Sequence, residues 1–335
     1  MNRKNQITHE EATMMFVNVI HFISRTYIKI ALLSLLITTG VNCSAPASEE
    51  LMNDFDLSNA TINKDEVLSG GPGRDDIPSI DDPKFISIEA VDFLRDEDMV
   101  IGLVRSDIAR AYPLRILVWH EIVNDIIEND AVVVTYCPLC GTAMVFDRNI
   151  DGKTKTFGVS GLLYRSDVLM YDRETESLWS QLAMKAISGP AVGKELTWLP
   201  SEQLTWKAWR ERNPHGEVLS TDTGHLRNYG GEAYASYFAS EKPMFPVPQT
   251  RTELKDKAWV IGIIVQGKAK AYPVDLLPSG KAIEDSVGNT KIVVRYDAEK
   301  KHVQVTGDEG RQIPSVMSFW FAWQAFYPDT GLWQP

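Results

Sequence analysis

Apolar residues in this chain gather mostly in short runs rich in Val, Ile, Tyr and Phe, bounded by Gly, Pro, Asn and Asp. That pattern predicts strands and tight turns more than long amphipathic helices. Residues 142–147 and 153–160 read as strands around an Asp151-Gly152 turn, and 162–171 and 177–182 continue the β character. Helical signals are few. Residues 201–212 read as a helix with Ser201 as N-cap and Pro214 beyond its end. Residues 232–239 read as a second, short helix, and 318–327 as a buried helix stopped by Pro328, its aromatic residues belonging to the core.

One pattern occurs twice. Val100–Pro113 aligns without a gap to Val260–Pro273, with seven of fourteen positions identical and Ala-Tyr-Pro closing both. The same spacing pairs Pro83 with Pro243, Phe85 with Phe245, Leu117 with Leu277, Asp125 with Asp285 and the run 132–136 with 292–296. Self-similarity at one fixed spacing reports a repeated structural unit. In each copy a β-rich run ends in Ala-Tyr-Pro, the proline opens a short helix or turn, and a second β-rich run follows. The fold predicted is α+β and β-rich, with two pseudo-symmetric repeats carrying short helices, joined by a β-rich insertion. Repeat 1 covers 82–148, the insertion 149–241 and repeat 2 242–308, all within a single compact domain, 81–335. Residues 48–80 are polar and punctuated by Ser69-Gly-Gly-Pro-Gly73, which predicts a tether.

The first 47 residues read as a targeting segment. The apolar run 30–37 follows Arg25 and Lys29, is too short to span a bilayer comfortably, and precedes Ala45-Pro46-Ala47. A cleaved signal peptide or a lipoprotein signal at Cys43 is expected, though Asn42 fits the latter poorly. Either places the protein outside the cytoplasm, in the periplasm or at the cell envelope, with a lipid or signal anchor as its one route to the membrane. A net charge of -11 argues against nucleic acid as a partner. A metal ion or a small-molecule ligand is the expected partner.

Candidate chemistry concentrates in Cys137-Pro138-Leu139-Cys140-Gly141. Of three cysteines, only these two lie outside the targeting region. Thr142, Val145 and Phe146 favour a strand after the pair, so the motif is expected in a turn between strands, where Cys-Pro-x-Cys-Gly resembles the metal knuckle of rubredoxins and zinc ribbons. No second cysteine pair exists, so histidine, carboxylate or water must complete a tetrahedral site. The copies differ usefully here. Cys137, Cys140 and His120 align with Asp297, Lys300 and Gly280, so the thiols and the histidine are absent together from repeat 2. That makes His120 the first candidate for a third ligand and His225 the second. The leading expectation is a Zn or Cu ion on Cys137, Cys140 and His120. Three alternatives stay open: a thiol–disulfide redox pair, a ligand-binding or scaffold protein with a structural disulfide, and a hydrolase using Ser160 and Asp167. Whether the protein is an enzyme is left open. Asp222-Thr-Gly224 resembles half of an aspartic-protease site, but no second such loop exists, so a turn is expected.

Residues 111–125 and 135–143, with 157–164, 169–173, 177–181 and 222–224, closely resemble a family of exported prokaryotic proteins known as a domain of unknown function. The resemblance covers residues 75–330 and includes Trp119-His120-Glu121 and the Cys-Pro-Leu-Cys turn. It implies export and a single compact unit, and it supplies no activity.

Overall fold

The computed structural model describes residues 51–231, 233–248 and 251–335. The predicted signal segment and Cys43 lie outside the described residues. The chain is β-rich, built from five blade-like sheets and a few short helices.

Sheet I runs, edge to edge, through Glu202–Thr205, Met99–Arg105, Ile108–Pro113, Glu217–Leu219 and Phe85–Ser87. Sheet II runs through Thr197–Leu199, Thr142–Asp147, Asp130–Cys137 and Ile122–Ile127. Sheet III orders Lys185–Ser188, Leu178–Ser180, Asp167–Asp172, Phe157–Tyr164 and Val67–Ser69. Sheet IV orders Ser315–Phe319, Trp259–Val265, Lys268–Pro273 and Gly331–Leu332, and sheet V orders Ala282–Val287, Thr290–Asp297 and His302–Thr306. The main apolar core joins side chains of sheets II, III and IV, among them Phe146, Phe157 and Trp179, with Trp320 and Trp323 of the helix that follows sheet IV's strand Ser315–Phe319. A second core fills the space between sheets I and II, and a third that between IV and V.

Sheets I and IV share one wiring. In each, an antiparallel hairpin ends in Tyr-Pro, with Ile101 opposite Tyr112 and Ile261 opposite Tyr272. A later strand pairs antiparallel with the first strand of that hairpin, Thr205 opposite Met99 and Phe319 opposite Trp259. A seven-residue helix follows directly, Trp206–Arg212 or Trp320–Phe326. Its second tryptophan lies on the hairpin glycine: a Cβ on Gly102 would stand 2.1 Å from Trp209, and one on Gly262 2.2 Å from Trp323. A short strand then returns parallel to the hairpin's second strand, Val218 beside Ala111 and Leu332 beside Ala271. The next hairpin is anchored alike, Tyr112 donating to Asp125 at 2.5 Å and Tyr272 to Asp285 at 2.8 Å. The carboxylates also take Arg110 at 2.9 Å and Lys270 at 2.6 Å.

Local differences from expectation have local causes. The helix expected from residue 201 begins at Trp206, because Glu202–Thr205 completes sheet I and Thr205, not Ser201, caps the helix by accepting from the Ala208 amide. Likewise Ser315–Phe319 is strand before the last helix. Residues 51–80 are not a tether. Phe55, Leu57 and Val67 are buried against sheet III, and Val67–Ser69 is its edge strand.

Candidate functional site

Cys137 closes strand Asp130–Cys137 and pairs with Thr142, so Pro138–Gly141 is the predicted turn between two strands. Gly141 holds φ +68, and a Cβ there would sit 2.4 Å from the Trp259 ring of sheet IV. Glycine is required on both counts. The turn's carbonyls are held from outside: Leu139 O accepts the Tyr237 hydroxyl at 2.6 Å, and Cys140 O accepts the Phe319 amide at 2.9 Å.

Asp167 approaches from sheet III. It follows the two-residue turn Arg165-Ser166, both left-handed at φ 52 and φ 66, the geometry that suits a tight hairpin. Arg165 pins that turn through Glu66 at 2.5 Å and through Ala325 O. Behind the cysteines, Gln181 locks the sheets together, its Oε1 accepting from Thr142 at 2.6 Å and its Nε2 donating to Thr135 at 2.8 Å. The result is a cluster in which one ligand atom each from Cys137, Cys140 and Asp167 lies within 4.8 Å of the others, all buried. Both cysteines are free thiols. The Cys140 thiol donates to Ser166 O at 3.1 Å, and Cys137 lies 3.9 Å from the same oxygen. Asp167 Oδ2 accepts the Leu182 amide at 2.9 Å. Its Oδ1 and the neighbouring Ser166 Oγ are buried without a partner among the described residues.

The electrostatics follow from burial among acids. Desolvation pushes the Asp167 carboxyl up to about 7, against the pull of the Leu182 and Val168 amides and of the adjacent Cys140 and Cys137 thiols. Glu121, buried at a left-handed φ of 58, is pushed up to about 8, first by burial and then by Asp167. The Cys140 thiol is raised well above its ordinary value by burial, then by Cys137 and Asp167. Tyr234, Tyr237 and Tyr327 surround these groups, each raised mainly by burial. Cys137, Cys140, Asp167 and Glu121 are all acids, so ionising this set calls for a cation.

The third group beside the thiols is therefore Asp167, in place of the expected His120. His120 is buried, but both its nitrogens are engaged elsewhere, Nδ1 with Pro78 O at 2.7 Å and Nε2 with the Tyr229 hydroxyl at 2.6 Å. Pro78 O can only accept, so Nδ1 carries the proton and Nε2 accepts from Tyr229. Burial holds this imidazole down to about 4, which keeps it neutral. His225 is exposed, its ring tilted 45° to that of His120 at 5.4 Å, apart from the thiols. Ser160 is spent on the bulge of its own hairpin, donating to Leu169 O at 2.5 Å and accepting from Leu162 N. Asp222 forms an exposed ion pair with Lys84, as a turn residue would.

Asp167 carried a signal of its own. It heads a strand buried at every position, Asp167–Asp172. The acid at the far end, Asp172, is neutralised by Lys155 at 3.0 Å and bonded by Trp179 Nε1 at 2.8 Å. Asp167 has no such partner, and a buried acid without one asks for a cation.

The chain belongs to the DUF3179 family of proteins of unknown function, whose model matches residues 74–330. No curated protein and no solved structure matches the chain.

Proposed function

We propose that this protein binds a metal ion, Zn²⁺ before Cu, through Cys137, Cys140 and Asp167. The observation that carries the reading is the unpartnered Asp167 Oδ1, buried in a cluster with two thiols. Two thiolates and a carboxylate mix soft and hard donors, which suits the borderline Zn²⁺ better than Cu⁺. Three protein donors leave a fourth position for water or a further ligand. A redox role for the pair is disfavoured, because exchange needs an accessible thiol of low pKa, whereas both thiols are buried and Cys140 is shifted upward. An oxidising, extracytoplasmic setting remains the expected location, and a resident metal would protect the thiols there. The same reading takes the wiring shared by sheets I and IV as an internal duplication, with each repeat extended to include 202–219 and 315–332.

Cobalt(II) added to the reduced full-length chain tests this. Thiolate-to-cobalt charge-transfer absorption should saturate at one equivalent and vanish in Cys140→Ser. Binding must displace the Asp167 proton, so affinity should rise as pH rises through about 7. In the metal-free protein the raised carboxyl works the other way. It stays protonated when folded and ionises when unfolded, so folding stability falls as pH climbs from about 4 to about 7. Uptake without charge-transfer absorption, or no uptake, would defeat the proposal.

A further inference from the structure

Two hollows flank the short helix Ala235–Ala239 and share Phe238 as a wall. They are counterparts in the repeat. Arg95, Met99 and Arg115 line one, of about 600 Å³, where Lys255, Trp259 and Asp275 line the other, of about 670 Å³. Their chemistry differs. In the second hollow, Lys257 is engaged, donating to Tyr237 O and lying 3.8 Å from the Tyr237 ring centre.

In the first hollow the unused polar capacity is almost all donors. Tyr136 is 5 % exposed, and neither its hydroxyl nor that of Tyr234 has a hydrogen-bond partner among the described residues. The Arg95 guanidinium has no partner among them either, and Arg115 Nε is buried unpaired. Of the two lining carboxylates, Asp98 is held by Arg115 at 3.1 Å and by the Arg95 amide at 2.7 Å, while Glu97, like Arg95, is exposed at the rim. Met99, Leu114, Val118 and Phe238 supply apolar walls. A tyrosine hydroxyl that lines a hollow and that no protein group engages is free to donate to a ligand acceptor. Donors over an apolar wall describe a pocket with a few convergent polar groups.

We propose that this hollow binds a small organic carboxylate with an apolar body, its oxygens accepting from Tyr136, Tyr234 and the arginines. Tyr136 precedes Cys137 and projects from the opposite face of sheet II, so the pocket adjoins the thiol cluster without being part of it. The inference goes beyond the metal reading and stands without it.

Phenylacetate, titrated into the full-length chain and followed by the probe's own NMR signals, tests this with or without metal. Saturable binding at one site is expected, with 2-phenylethanol at least about tenfold weaker because it lacks the carboxylate. Tyr136→Phe and Tyr234→Phe keep the ring and remove only the hydroxyl. Each should weaken phenylacetate by about threefold to tenfold, with an unchanged melting temperature showing that the fold is intact. Leu276→Ala, in the counterpart hollow, should change nothing. The proposal is overturned by equal binding of the alcohol, by no saturation, or by loss in Leu276→Ala with both tyrosine variants unaffected.

Discussion

Turns 137–141 and 297–301 are aligned by the sequence match, adjoin sheets of the same wiring, and carry opposite chemistry. Both end in a left-handed residue, Gly141 at φ 68 and Lys301 at φ 47. Each is held by the strand end that leads into a seven-residue helix: Cys140 O accepts the Phe319 amide, and Lys300 O accepts the Thr205 amide, each at 2.9 Å. Where the first turn places two buried thiols, the second places an ion pair, Asp297 with Lys300 at 2.9 Å, partly open to water. Backbone wiring is thus shared while the side chains are free to differ. What distinguishes the first turn is its surroundings. Sheet III brings Asp167 over it and helix Ala235–Ala239 covers it, and among the described residues no equivalent of sheet III stands over the second turn.

If the wiring is shared, equivalent lesions should match. Gly102→Ala and Gly262→Ala both drive a Cβ into a buried tryptophan, at 2.1 and 2.2 Å. Each should destabilise by about 3 kcal/mol in denaturant melts, the upper range for overpacking. A difference greater than about 2 kcal/mol would break the equivalence. The tyrosine anchors should part company. Tyr112 donates to Asp125, whose side chain is 3 % exposed, whereas Asp285, the acceptor for Tyr272, is 18 % exposed. Tyr112→Phe should therefore cost about 2 kcal/mol and Tyr272→Phe about 1 kcal/mol. The smallest effect is at Lys301, in the second turn. Lys301→Gly should stabilise by about 0.5 kcal/mol, because glycine takes a left-handed φ freely. Gly141→Ala should destabilise, because its Cβ also meets Trp259.

The alignment of 100–113 with 260–273 and the short apolar runs bounded by turn residues make the strands and the cysteine turn legible. Residues 202–219 are not, because their counterpart lies at 315–332, a different spacing from the rest of the repeat. The strand pairing, the helix that follows and the tryptophan-glycine contact reveal that match. Cys137 and Cys140 announced themselves by residue type and spacing. His120 stands out because the aligned position 280 is glycine, but the imidazole serves another task, fastening Pro78 and Tyr229. Asp167 stood 27 residues beyond the motif, in the region taken as insertion, and only the packing of sheet III on sheet II brings it to the thiols.

Metal content per chain, measured by elemental analysis of the protein purified without affinity-tag metal, tests the central claim most directly. The account predicts about one zinc per chain in the parent protein and in His120→Ala, and none in Cys137→Ser or Asp167→Asn. Metal retained in Asp167→Asn and lost in His120→Ala, or a metal-free parent whose two cysteines form a disulfide, would contradict it.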